Sequence, residues 1–244
     1  MGSIPETVPV SKIKAEPAGI PVTLSEPSSP RGVTFLLTGF MIDESEYDST
    51  RAVLHGKDQV VICLRIAKGG GEEHQKYAND VAKIHEDYRG KHPSLPSTYN
   101  VVGHSAGGKV ALLVAAKADP TNVGVVVALD PVDLKPVEFT NKGSQTNLTL
   151  ENTSGNVHIR WATKTRSWIP FGNIPEDHNA RAIFEANRRY NNVAPLVEDD
   201  DASHFAYTDR GGGWIGRLSG YYGGSSSGNA KARTSAHDMI RELI

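Results

Sequence analysis

The sequence predicts an α/β protein: a mostly parallel central sheet with helices on both faces. Three observations predict it. Short apolar runs rich in β-branched residues alternate with amphipathic stretches along the 244 residues. Most of these runs are apolar at every position, as strands buried on both faces must be. Glycine or proline closes several of them at the junction with the next segment.

Taken in order, residues 1–30 are rich in Pro, Ser and Glu and should hold at most a short strand, Ile20 to Leu24, which SEPSSPRG ends. Residues 31–244 should form one domain, since a chain with 38% hydrophobic residues can bury a sizeable core. Val33 to Thr38 (VTFLLT) is a buried strand by its length and its closing Gly39. Gln59 to Ile66 (QVVICLRI) is another, closed by KGGG. Tyr77, Val81, Ile84 and Tyr88 recur at intervals of four, three and four, which makes Glu72 to Arg89 a helix. Tyr99 to Val102, Val123 to Leu129, Val157 to Ala162 and Val193 to Val197 read as further strands. Lys109 to Lys117, Arg181 to Tyr190 and Thr234 to Ile244 read as helices, and Gly211 to Gly228 as a long loop. The segments Leu134 to Asn156 and Thr163 to His178 are too short and polar for a large cap domain.

The formal net charge of −2 gives no general attraction to nucleic acid or to an anionic membrane. The single cysteine, Cys63, lies in an apolar strand, so a buried structural thiol is expected and no disulfide within the chain. The first residues show neither an apolar signal region nor a transmembrane span. An intracellular soluble protein is expected, cytoplasmic or plastid, with the sequons at Asn147 and Asn152 unused.

The stretch NVVGHSAGGKV, Asn100 to Val110, reads two ways. From Gly103 it parses as G-x-x-x-x-G-K, a phosphate-cradling loop, and equally as G-x-S-x-G, the turn that presents a nucleophilic serine. Asp130, ending the strand VVVALD, could serve the first reading as a magnesium-positioning carboxylate. A phosphate loop, however, needs Ser or Thr after its lysine to hold the metal, and Val110 stands there. The nucleophile reading needs a base and an orienting acid in the order Ser, acid, His. His204, in DDDASHFAYTD after the last strand, satisfies both order and placement. His55, His74, His85 and His92 precede the serine, His158 lies in a strand, and His178 and His237 belong to helices. His104 is read as packing.

For the acid, Asp130 ends a strand, with Asp133, Glu176 and Asp177 as alternatives. The run Asp199 to Asp201 reads as a solvated turn. The oxyanion hole should use the N–H of Ala106, the residue after Ser105, and that of Phe40 after the early strand, each worth about 3 kcal/mol in the transition state. Trp168, Phe171, Trp214, Tyr221 and Tyr222 fall in loops that could wall an apolar pocket.

The segments LLTGF, GHSAGGK, ALDPVD and SHFAYTD resemble, in order, segments of α/β-hydrolases, and chlorophyllases and their esterase relatives in particular. The resemblance spans roughly Val33 to Gly216 and implies the α/β-hydrolase fold with Ser105, Asp130 and His204 as the triad. It implies hydrolysis of a carboxylic ester without metal or cofactor, in chlorophyllases the phytyl ester of chlorophyll. Ala106 stands where plant chlorophyllases usually carry Arg, and Ser203 where they usually carry Gly. The expected partner is thus a small-molecule ester with an apolar moiety. The alternative class is a non-catalytic small-molecule-binding protein that keeps the fold.

Overall fold

The computed structural model describes residues 11–68, 72–117, 122–133, 138–140, 149–151, 153, 155–164, 179–212 and 224–244. Its central strands are buried along nearly their whole length, and neighbouring residues enter different cores. In β3 (Gly32–Leu37), Phe35 and Leu37 pack into one core and Leu36 into the other. In β5 (Tyr99–His104), Val101 and Val102 divide in the same way. The remaining strands are β1 (Ile13–Ala15), β2 (Val22–Ser25), β4 (Gln59–Leu64), β6 (Val123–Leu129), β7 (Asn156–Ala162) and β8 (Val197–Asp199).

Among the described residues these strands form one sheet in the order β1-β2-β4-β3-β5-β6-β7-β8. From β4 to β8 every pairing is parallel, while β1 and β2 pair antiparallel at one edge. The helices are α1 (Asp48–His55), α2 (Glu73–Lys91), α3 (Ala106–Lys117), α4 (Ala180–Asn187) and α5 (Ser226–Leu243). One face of the sheet is covered by α2, α3 and α4, the other by α1 and α5. Helix α3 is the most deeply set: Val110 to Ala115 are all at most 2% exposed. Truncating Leu112 or Leu113 there to Ala would cost about 2–5 kcal/mol.

The mostly parallel, doubly covered sheet is as the sequence predicts, with four local differences. The first thirty residues contribute two strands rather than at most one, because Ile13–Ala15 adds an edge strand to β2. Helix α1 is not among the elements the sequence pattern predicts. The strand expected over Val193 to Val197 lies at Val197–Asp199 instead, and Val193 makes only an isolated bridge to Val157. Pro195 has no N–H to give a ladder between the two. Helix α5 begins at Ser226, inside the expected loop, where the Ser225 side chain caps it by accepting from Gly228 N–H.

Strand order reverses at β3. The chain leaves β3 for β4 on one side, over α1, and β5 returns on the other side of β3, leading into α3. Since α1 and α3 lie on opposite faces, this switch point beyond the carboxyl ends of β3 and β5 is where a sheet of this kind leaves a crevice for a ligand.

Candidate active site

Four carboxyl-terminal strand ends meet at this crevice. Gly39 and Phe40 follow β3, Ser105 joins β5 to α3, Asp130 follows β6, and His204 follows β8 in a single 3-10 turn, His204–Tyr207. Ser105 sits at φ +57°, a left-handed conformation that is strained for any residue with a Cβ. The glycines around it allow that turn. A Cβ on Gly103 would strike the Gly107 carbonyl, and one on Gly107 would strike the Leu37 and Thr38 carbonyls at the end of β3. Ser105 N–H is tied to Leu129 C=O at 3.0 Å, and its own C=O accepts from Lys109 N–H at 3.1 Å.

The Ser105 hydroxyl is 2.8 Å from His204 Nε2, and His204 Nδ1 is 2.6 Å from Asp130 Oδ2. The other oxygen, Asp130 Oδ1, accepts the Ala162 N–H at 3.2 Å, so the carboxylate is gripped from two sides. Both His204 and Asp130 are 2% exposed, whereas Ser105 is half-buried and open to a reactant. This line of contacts brings together the three sequence candidates Ser105, Asp130 and His204.

The expected oxyanion donors are the N–H groups of Ala106 and Phe40. Ala106 is the first residue of α3, so no carbonyl four residues back in its own helix receives its N–H. Gly39 N–H donates to Tyr47 Oη at 2.8 Å and Met41 N–H to Ile66 C=O at 2.9 Å. Between them, Phe40 N–H has no hydrogen-bond partner among the described residues, and the residue is 38% exposed.

Lys109, the lysine of the phosphate-loop reading, is fully buried. Its Nζ lies 2.9 Å from Asp133 Oδ1 and 3.3 Å from Glu138 Oε2. Burial raises the Glu138 carboxyl above its ordinary value against the pull of Lys109. Asp133 also accepts the N–H groups of Glu138, Phe139 and Thr140, and so folds the chain after β6. The alternative acid Asp133 is thus bound to Lys109. The other two alternatives, Glu176 and Asp177, lie outside the described residues. So do Asn147, Asn152, Trp168, Phe171, Trp214, Tyr221 and Tyr222.

Two features are not evident from the sequence. Asp199 is a buried anchor rather than part of a solvated turn: it pairs with Arg160 and accepts from Tyr207 Oη at 2.6 Å, fixing both ends of the His204 loop. Burial alone would lower Arg160, but the bonds to Asp199 outweigh it and raise the guanidinium above its ordinary value. His104 is more than packing. Its Nδ1 meets Tyr47 Oη at 2.8 Å and its Nε2 meets the His204 carbonyl at 2.8 Å. No sequence signal links Tyr47 to His104, whereas the position of His104 next to Ser105 could have raised the question.

Cys63 is buried as expected, and burial pushes its thiol up to about 12, which leaves it unreactive. Among the described residues, no group of three or more His, Cys, Asp or Glu is arranged to hold a metal ion, and no helix is long and apolar enough to cross a membrane.

No family model and no curated protein sequence matches the chain. Its shape does match solved structures. A Klebsiella pneumoniae protein assigned as a dienelactone hydrolase is similar over 96% of this chain and 97% of its own, with a TM-score of 0.63 and 11% identity. Porphyromonas gingivalis dipeptidyl peptidase 4 is similar over 97% of this chain but only 36% of its own, with a TM-score of 0.64 and 13% identity. An Acinetobacter baumannii protein assigned as a lipase covers 78% of this chain and 83% of its own, with a TM-score of 0.52 and 13% identity. At such identities the likeness fixes architecture and leaves the reaction to the residues of the site.

Proposed function

We propose that this chain, which has the α/β-hydrolase fold, is a serine carboxylic-ester hydrolase that works through an acyl-enzyme. What supports the reading is the unbroken line from the Ser105 hydroxyl through His204 to Asp130, at 2.8 and 2.6 Å, on a strained turn at the mouth of the crevice. A serine hydroxyl is a weak nucleophile until a base takes its proton, and the imidazole stands where it can do so.

In this reading Ser105 Oγ attacks the ester carbonyl carbon while His204 Nε2 accepts the serine proton. Asp130 holds Nδ1–H and stabilises the imidazolium that forms. The carbonyl oxygen, now negative, receives the N–H groups of Ala106 and Phe40, aided by the positive N-terminus of α3. His204 passes its proton to the leaving alkoxide, and the alcohol departs. A water that gives its proton to His204 then attacks the acyl-serine and releases the acid, and the proton returns to Ser105.

The substrate class in this proposal is an ester with an apolar moiety. The exposed ring of Phe40 borders the donor, and the Phe205 ring packs edge-on to His204 at 5.3 Å. The four motifs point, within that class, to a chlorophyllase-like activity on the phytyl ester of chlorophyll. A panel running from p-nitrophenyl acetate through long acyl esters to chlorophyll a tests both levels. Turnover that Ser105→Ala abolishes is expected, and chlorophyllide release comparable with the best small ester would carry the finer reading. A folded wild type that turns over none of them would instead favour a binding protein.

A further inference from the structure

His104 occupies a place where three parts of the proposed site converge. It is covalently joined to Ser105, its Nε2 is 2.8 Å from the main-chain carbonyl of His204, and its Nδ1 is 2.8 Å from Tyr47 Oη. Tyr47 Oη in turn accepts the N–H of Gly39, the residue before Phe40, at 2.8 Å. Tyr47 and His104 are each 1% exposed, so water cannot replace any of these partners.

The protons along this chain can be assigned. Burial raises the Tyr47 hydroxyl far above its ordinary value and lowers His104 well below its own, so one stays protonated and the other neutral. Tyr47 Oη receives Gly39 N–H and therefore gives its own hydrogen to His104 Nδ1. That leaves the single imidazole proton on Nε2, where it donates to the His204 carbonyl. Every donor and acceptor is used once, and one run of bonds connects the main chain beside the Phe40 donor to the main chain of the base.

We propose that Tyr47 and His104 are positioning residues, a buried strut that sets the separation of the oxyanion-donor loop and the His204 loop on either side of Ser105. This rests on the ester-hydrolase reading. Neither side chain touches the reacting atoms. The strut acts by holding donor, nucleophile and base in one register, and displacement of such groups by about 1 Å can cost about 100-fold in rate.

The test is turnover per active site, with sites counted by the burst of p-nitrophenol released on acylation. A merely structural role lowers the burst by reducing the folded fraction and leaves turnover per site intact. Positioning lowers turnover per site and slows the burst, whose amplitude stays as long as acylation remains faster than deacylation. Tyr47→Phe keeps the ring and removes the hydroxyl, and is expected to lower kcat per site about 10- to 100-fold with KM within about threefold of wild type. His104→Gln can place an amide N–H where Nε2–H stands and keep the bond to the His204 carbonyl, whereas the shorter His104→Asn cannot. The glutamine variant should therefore retain more turnover per site than the asparagine variant. Tyr47→Phe combined with His104→Asn should lose no more than the worse single change, since both break one chain. Wild-type turnover per site in Tyr47→Phe and His104→Asn, whatever their burst, overturns the strut alone. A wild type with neither burst nor turnover overturns the ester-hydrolase reading and the strut with it.

Discussion

Asp130→Asn isolates what the carboxylate contributes, because the substitution is nearly isosteric and the surroundings dictate how the amide must sit. Asp130 Oδ1 accepts the Ala162 N–H at 3.2 Å. An asparagine therefore turns its oxygen toward Ala162 and its NH2 toward His204 Nδ1, where the carboxylate oxygen stood at 2.6 Å. An NH2 can only donate, so Nδ1 becomes an acceptor and the imidazole proton moves to Nε2. There it points at the Ser105 hydroxyl, and His204 can no longer take the serine proton.

Turning the amide round to restore the useful tautomer would face two N–H donors at Ala162, a penalty of about 1–3 kcal/mol. The imidazolium also loses its partner charge, which is about 4 kcal/mol at roughly 4 Å and an effective dielectric near 20. Together these come to about 5–7 kcal/mol, or roughly a 10⁴- to 10⁵-fold fall in kcat at about 1.4 kcal/mol per tenfold. Steady-state hydrolysis of p-nitrophenyl butyrate by wild type and Asp130→Asn measures it, with urea unfolding to verify that stability has barely moved. A kcat within tenfold of wild type would refute the assignment of Asp130 as the orienting acid.

Three further outcomes are expected. Ser105→Gly and Ser105→Ala both remove the hydroxyl, but only alanine keeps a Cβ at φ +57°, so the glycine variant should be the more stable by about 0.5–1 kcal/mol in urea titrations. Equal midpoints would mean the turn is unstrained. Lys109→Met leaves Asp133 and Glu138 buried without that cation and should lose about 3–5 kcal/mol of stability, and a loss below about 1 kcal/mol would remove its structural role. Burial lowers His74 and His85 to about 4 from an ordinary 6.5, so the unfolded chain takes up protons first as pH falls. Stability should therefore be full above about pH 6.5 and decline toward pH 4, by at most about 1.4 kcal/mol per pH unit for each histidine. In His85→Gln one such contribution is absent, and an unchanged slope between pH 6 and 5 would refute the buried-neutral state of His85.

Legibility in the sequence followed burial. Strands β3 to β6 could be read because each feeds two cores and so carries consecutive apolar residues, and β7 because Val157, Ile159 and Trp161 alternate with polar residues. Helix α1 could not, since its inner face includes Arg51, fully buried yet bonded to Ser25 and paired with Glu44, which hydropathy counts as exterior. The first turns of helix α5, before Thr234, hide for another reason: the buried positions there are Gly228 and Ala232, helically spaced but small. At the candidate site, the sequence singles out Ser105, Asp130 and His204 as strand-end residues in a required order, and the three are hydrogen-bonded in line. Tyr47, Asp199 and Arg160 were not legible, because their partners are set by register across the sheet and by loop packing.

The stretch from Gly103 to Lys109 shows why a motif needs its distant partners before it has a chemistry. Both readings demand a glycine-rich turn from strand to helix, so the glycines cannot decide between them. The decision lies in two electrostatic facts. A phosphate loop must offer its lysine charge to a ligand, but Lys109 already faces two carboxylates in the interior, and withdrawing it would leave both buried without that cation. The serine of a nucleophile turn must meet an imidazole whose far nitrogen is held by a carboxylate, and Ser105 does. The segment ALDPVD serves both ends of this division: Asp130 turns toward the imidazole, and Asp133, three residues on, turns toward the lysine. The residue that looks most like a phosphate ligand is therefore part of what fixes the loop carrying Asp130. It follows that Lys109→Met should disturb folding first, and magnesium ATP should protect neither it nor the wild type against urea. Protection of the wild type by magnesium ATP would reverse the assignment.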